Sequence, residues 1–153
     1  MLGLFLMLFA GVALIQDKRF FSSAPKAVLD AVRPKPERFA GQHALGWAVG
    51  VAAILIMAGA FVCGGYDGVK NGFAFWEFFL RFIIMLSGLK AFDVLFFDFF
   101  LLCRSSFFPR YYPETKAVLG PHLFGYNKKT HLIHILCFVP AALLLAWLCA
   151  IFV

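Results

Sequence analysis

The sequence predicts an all-α integral membrane protein: one domain, residues 1–153, of four transmembrane helices with both termini on the non-cytoplasmic side. Three observations lead there. The chain is 63% hydrophobic and only 14% charged, against about 45–50% apolar and about 25% charged residues in soluble domains. Its apolar residues gather into four segments. Its basic residues crowd the first and third connections and nearly avoid the second. The formal charge of +6 therefore reads as topology, because Lys and Arg accumulate on the cytoplasmic side. It does not call for nucleic acid. The expected partners are the lipid bilayer, its anionic lipids and further copies of the chain, and the expected location is a plasma membrane of bacterial type.

The first segment, residues 1–16, is short of the roughly 20 residues a span needs and has apolar sequence to run on to Phe21. Lys18 and Arg19 follow it rather than precede it, and Pro25 follows the small-residue site Ser22-Ser23-Ala24. A retained helix fits this better than a cleaved signal. The connection 17–43 carries Lys18, Arg19, Lys26, Arg33, Lys35 and Arg38. Ser23 as a cap with Pro25 in the first turn predicts a short helix on the membrane surface, interrupted by Pro34 and Pro36.

The second span is placed at residues 44–63. Gly46 and Gly50, in GxxxG spacing with Ala53 and Gly59 beyond, allow another helix to approach closely. "GGYDGVKNG" then reads as a loop with Lys70 its only basic residue. The third span covers residues 73–103 and the fourth residues 131–153. Pro140 removes a hydrogen bond and frees the carbonyl of Leu136, which predicts a kink. The cysteines at 63, 103, 137 and 149 form no CxxC pair and read as small apolar residues, the alternative being a Cys63–Cys149 disulfide.

The third span holds the charges that need explaining. At about 100° per residue, Glu77 and Arg81 share a side and are spaced to pair. Lys90 and Asp93 pair on another side, as a structural staple or a gate, and Asp98 falls between the two. A central Lys or Asp costs about 2.5–3.5 kcal/mol on insertion, while each Phe, Leu or Ile returns about 0.3–0.6. Ten phenylalanines between Phe73 and Phe100 make insertion feasible.

Asp98 has no basic residue three or four positions away. It lies about 9 Å inside the boundary marked by Arg104, at 1.5 Å per residue. The fourth span enters from the same side with His131 and His134 at i, i+3, and His43 opens the second span there too. Carboxylate with imidazole suits a proton relay, and His with carboxylate also suits zinc or iron. Interfacial histidines without chemistry are the third reading. No cofactor or resident metal is assigned.

The connection 104–130 is too long for a plain turn and too aromatic for disorder. Its aromatic residues suit the headgroup level, and Pro109, Pro113 and Pro121 exclude a long helix. Arg104, Arg110, Tyr111, Lys128 and Lys129 form a candidate site for an anion or lipid headgroup, or serve as ordinary cytoplasmic anchors. Within it, "GPHLFGYN" is similar to the glycine-proline-tyrosine segment of isoprenylcysteine and phospholipid methyltransferases, membrane enzymes that bind S-adenosylmethionine. The arginine-histidine-proline and later acidic element of that family are missing, so no family is assigned.

Nucleotide-binding, hydrolase, haem and zinc-finger motifs are missing as well. The expected function is a small transporter or channel-like protein for a solute or ion, proton-coupled through Asp98, His131 and His134 with Lys90 and Asp93. The alternatives are a lipid-active or metal-dependent enzyme at the cytoplasmic face and an accessory subunit of a larger complex.

Overall fold

A computed structural model describes residues 1–17, 24–33 and 35–153, which are all-α. The first helix, α1 (Leu2–Phe9), continues as a π-helical segment, Ala10–Ile15. A short α2 (Lys26–Ala31) precedes the long α3 (Gln42–Lys70). Next, α4 (Phe75–Phe92) runs directly into a second π-helical segment, Asp93–Leu102. The single-turn α5 (Phe107–Tyr111) and two 3-10 turns lead to α6 (Lys128–Ala150). The Ser23 cap, Lys18, Arg19, Pro34 and the extension to Phe21 lie outside the described residues.

Two helices, α3 and α6, are long and apolar enough to cross a membrane, with mean hydropathies of 2.3 and 2.4, and only 11% of each apolar stretch is buried. A core helix of a soluble protein passes the same test of length and composition but is mostly buried. Here Ile54, Leu55 and Val62 on α3, and Leu132, Leu136 and Leu144 on α6, point outward. The first apolar helix, Leu2–Ile15, is shorter. At 1.5 Å per residue it covers about 21 Å, less than the roughly 30 Å of a hydrocarbon core.

The helices pack in two main pairs, α1 with α3 and α4 with α6. Small residues seat the first pair. A Cβ on Gly46 would lie 2.7 Å from Ile15, one on Gly3 would lie 2.9 Å from the carbonyl of Ala53, and Ala53 itself is fully buried. The GxxxG face of α3 thus receives the first helix, the partner that spacing alone leaves open.

The loop expected from "GGYDGVKNG" is instead mostly helix, since α3 continues to Lys70. Helix-unfavourable glycines are accepted there because neighbours fill the space their side chains would need. A Cβ on Gly68 would fall 2.3 Å from the ring of Phe78, and one on Gly65 would fall 3.0 Å from Cys149 Sγ. The true turn is residues 71–74, with Gly72 at φ +66° and Asn71 Nδ2 donating to the Asp67 carbonyl at 2.7 Å. α6 starts at Lys128, three positions before the expected span, and stays helical through Pro140. All four cysteines are free, so the Cys63–Cys149 disulfide is not formed.

The Glu77–Arg81 pair is also corrected. Glu77 sits in the first turn of α4, where its Oε2 accepts the otherwise unpaired Ala74 N–H at 2.7 Å. Arg81 turns to α3, donating to Asp67 Oδ2 at 2.6 Å and to the Gly64 carbonyl at 2.8 Å. Capping an orphan amide and bridging two helices replace a pair within one helix.

Gln42, 1% exposed, was not singled out by sequence and holds the end of the first helix. Its Nε2 donates to the Leu14 carbonyl at 2.7 Å, and its Oε1 accepts from Arg38 N at 2.9 Å. The last carbonyls of a helix lack partners within it, and in an apolar setting each unmet group costs about 1–3 kcal/mol. Gln42→Leu is therefore expected to lower stability by about 2 kcal/mol, read as a lower midpoint of thermal unfolding in detergent. Full stability in that variant would deny Gln42 this role.

Both long connections fold together at one end. Val28 of α2 and Tyr112 are buried beside Val12, Leu102 and Phe108, so α2 is packed into a cap rather than lying alone on a surface. Lys35 Nζ donates to Glu114 Oε2 at 3.1 Å, and Arg33 N reaches Glu114 Oε1 at 3.4 Å. Burial raises the Glu114 pKa, but the hydrogen bonds it accepts outweigh that and hold it below the ordinary glutamate value. A lowered carboxylate pKa stabilises above the unfolded value and loses that stabilisation as pH falls through the folded one. The pair is partly solvated and worth up to about 1 kcal/mol. Glu114→Gln should remove that amount at neutral pH and nothing once acidification has protonated the wild-type side chain, as melting temperatures across pH would record.

Candidate functional site

The site is built on the junction between α4 and the π-helical segment that continues it. Lys90, in the last turn of α4, donates through Nζ to Asp93 Oδ2 at 2.5 Å, and its side chain is only 11% exposed. This is the expected i, i+3 pair. Beyond Asp93 the backbone hydrogen bonds widen from i→i+4 to i→i+5, which brings residues five apart toward one side. Asp98, five residues after Asp93, is thereby turned to the side of Asp93 and Lys90, and both carboxylates line one cavity. A uniform turn of about 100° places Asp98 elsewhere.

Asp98 finds its partner on another helix. His131 Nε2, in the first turns of α6, lies 2.8 Å from Asp98 Oδ2, with side chains 14% and 18% exposed. The second imidazole nitrogen, Nδ1, is buried with no hydrogen-bond partner among the described residues. In a neutral imidazole that donates through Nε2, Nδ1 carries a lone pair and is free to take a proton. The other expected histidines stand apart. His134 is exposed and not among the groups acting on Asp98. His43 Nδ1 pairs with Glu37 Oε1 at 3.4 Å at the start of α3, since Glu37 is anchored there by the His43 and Gly41 amides. The expected convergence of three histidines thus reduces to one.

The cavity measures about 70 Å³ and is bounded by Leu8, Val12, Phe97 and Tyr126 as well as the two carboxylates. A second cavity of about 220 Å³ adjoins it, sharing Leu8, Val12, Asp93 and Phe97 and extending to Leu4 and Met7. Either volume exceeds the roughly 10–15 Å³ that one water needs. Burial, followed by the charges of Asp98 and Asp93, pushes the Tyr126 phenol far above its ordinary range, so it stays protonated. A third, mainly apolar cavity of about 370 Å³ lies at the other end of α1, between α3 and α4.

The candidate anion residues lie around the capped end. The Arg104 guanidinium lies over Phe99 at 5.4 Å, and Arg38 covers Tyr111 at the same distance. Arg110, Lys128 and Lys129 are exposed. Ser105 terminates the π-helical segment, its hydroxyl donating to the Leu101 carbonyl at 2.8 Å. Among the described residues, no three His, Cys, Asp or Glu side chains are grouped to hold a metal ion. Comparison with family models, curated proteins and solved structures finds no match.

Proposed function

We propose that this is an integral membrane protein, of a plasma membrane of bacterial type, that moves a small solute or ion coupled to protons, with Asp98 and His131 handling the proton. The observation that carries the reading is the largely enclosed carboxylate–imidazole pair at 2.8 Å, with the carboxylate on a cavity and the far imidazole nitrogen without a partner among the described residues. Ionisable groups inside an apolar bundle are expensive and mark ion or proton routes. A proton taken by His131 Nδ1 allows the Nε2 proton to pass to Asp98 and so to the cavity. Asp93, shared by the two adjoining cavities, extends the polar route along the first helix.

In the proposed topology α3, α6 and the continuous helix through residue 102 cross the bilayer, and the first helix inserts as a fourth segment with its N-terminus directed outward. Trp47 and Tyr66, both exposed, are 19 positions apart on α3, about 28 Å at 1.5 Å per residue. That is close to the hydrocarbon thickness that interfacial aromatic residues bracket. Lys26, Arg33, Lys35, Arg38, Arg104, Arg110, Lys128 and Lys129 belong to the capped end, which supports a cytoplasmic cap in contact with anionic lipids. Further copies of the chain would enclose the route.

The test is proton movement in proteoliposomes carrying a trapped pH dye. Protein-dependent flux that collapses in Asp98→Asn supports the reading, and flux indistinguishable from empty vesicles under every imposed gradient removes it.

A further inference from the structure

We infer that the groove between α3 and α4, at the end away from the cap, holds one phospholipid with a phosphate–ammonium headgroup of the phosphatidylethanolamine type. Its phosphate sits on Arg81, its ammonium on Asp67 and an acyl chain in the cavity below. The inference rests on the membrane-embedding part of the reading above and not on proton handling.

Helical spacing builds the groove. Met57, Ala60, Gly64 and Asp67 recur on one side of α3, and Arg81, Met85 and Gly88 on one side of α4. The two rows meet at Gly64, where a Cβ would lie 3.2 Å from Met85 Sδ and 3.8 Å from Arg81 Cδ. On the cap side of that contact lies the 370 Å³ cavity, walled by Met57, Ala60 and Phe61 of α3 and by Ile84, Met85 and Gly88 of α4, with the start of α1 as its floor. Sites of roughly 300–1,000 Å³ that take small molecules are mostly apolar, with a few polar groups placed to fix orientation. Here the polar groups stand at one end. Arg81 Nη1 donates to the Gly64 carbonyl at 2.8 Å and to Asp67 Oδ2 at 2.6 Å, and the guanidinium lies over the Phe73 ring at 4.3 Å.

Depth and charge select the occupant. Met57 precedes Tyr66 by nine positions, about 14 Å at 1.5 Å per residue. With Tyr66 at the interface, the groove therefore spans close to one leaflet of a roughly 30 Å hydrocarbon core. An acyl chain fits that span and asks no hydrogen bonds of apolar walls, whereas a helix from a second copy would cover Arg81 and Asp67 and strip their charges of water. At the rim a cation and a carboxylate stand side by side, with side chains 26% and 56% exposed. Both hydrogen bonds that Arg81 gives to described residues leave from Nη1, so the edge formed by Nη2 and Nε is the one a phosphate takes. Asp67 receives Arg81 on one oxygen and Asn71 on the other, and a carboxylate has about four acceptor sites, which leaves room for an ammonium. An anionic headgroup without an ammonium meets the Asp67 charge unrelieved, and a trimethylated ammonium has no N–H to donate to it.

The experiment is lipid retention read by native mass spectrometry. Protein purified in detergent and stripped of lipid receives dioleoyl phosphatidylethanolamine, or the matching phosphatidylcholine, phosphatidylglycerol or diacylglycerol, in mixed micelles. The expected result is one retained phosphatidylethanolamine per chain, at a concentration about tenfold below that required by any of the other three. Gly88→Leu fills the cavity from a position where a Cβ meets only Met1 Cε, at 3.9 Å, and leucine favours helix over glycine. That variant should keep wild-type helicity and elution volume while its affinity for phosphatidylethanolamine falls about tenfold or more. Arg81→Gln should lower phosphatidylethanolamine to the level of diacylglycerol. Equal retention of the four lipids by wild type, a comparison that needs no variant, overturns the inference, as does unchanged retention in folded Gly88→Leu. A wild-type dimer that Gly88→Leu dissociates gives the groove to a second copy and overturns it as well. Detergent dependence with no lipid retained overturns the site alone; a chain that stays dispersed without detergent and retains none of the lipids overturns the membrane reading with it.

Discussion

Lys90→Met is expected to destabilise the folded protein by an amount near the lower end of the roughly 3–5 kcal/mol seen when one partner of a buried ion pair is removed. Lys90 is 89% enclosed, as its 11% exposure implies, whereas Asp93 is 31% exposed along the cavities, so water softens the loss. The lysine stem contributes little to the effect, since methionine replaces most of its apolar contact. What is lost is the ammonium on Asp93 Oδ2, which leaves a carboxylate facing Leu8, Val12 and Phe97. Lys90→Met combined with Asp93→Leu should recover most of the stability, because exchanging both partners for apolar groups removes the desolvation cost along with the attraction. Equilibrium unfolding of the single and double variants in detergent decides this. A double variant no more stable than Lys90→Met would mean that Lys90 acts through something other than Asp93.

How much of this arrangement the chain reveals depends on which rule governs each stretch. Membrane-compatible α3 and α6 were legible because composition over some twenty residues outweighs any single contact. The Lys90–Asp93 pair was legible because it obeys local helical spacing. Two kinds of feature were not. Tertiary contacts overrode local preference at Gly65 and Gly68, where Cys149 and Phe78 fill the space that a turn reading leaves to solvent, and at Arg81, where Asp67 on another helix displaces Glu77. A change of helical pitch after Phe92 altered which residues face together, and no wheel of constant angle captures that. The partner of Asp98 was narrowed to the histidines at the same depth, but choosing His131 required the packing of α6. Gln42 carried a faint signal, a long amide at the start of an otherwise apolar helix, and its use as a cap for another helix depends wholly on the fold.

Asp98→Asn is expected to reduce proton-coupled flux at least about a hundredfold, the lower bound of what a positioned proton-transfer group contributes, while leaving the protein folded. Asparagine keeps the size of aspartate and an amide oxygen able to accept the His131 Nε2 proton, so the helix contact survives. It cannot take up the proton, so the route is cut at the cavity wall. His131→Gln cuts it on the other side and is expected to cost as much. If the two residues act as one unit, the double variant is no worse than either alone, since residues serving a single step are strongly non-additive. Multiplying losses would instead place them on separate routes. His134→Gln discriminates between the two ways of reading the histidines. Spacing at i, i+3 puts His134 beside His131, but it is exposed while His131 alone meets Asp98. Flux within about twofold of wild type in that variant, against the hundredfold loss at His131, would assign the proton to the buried pair; equal losses at both positions would return it to the helix face.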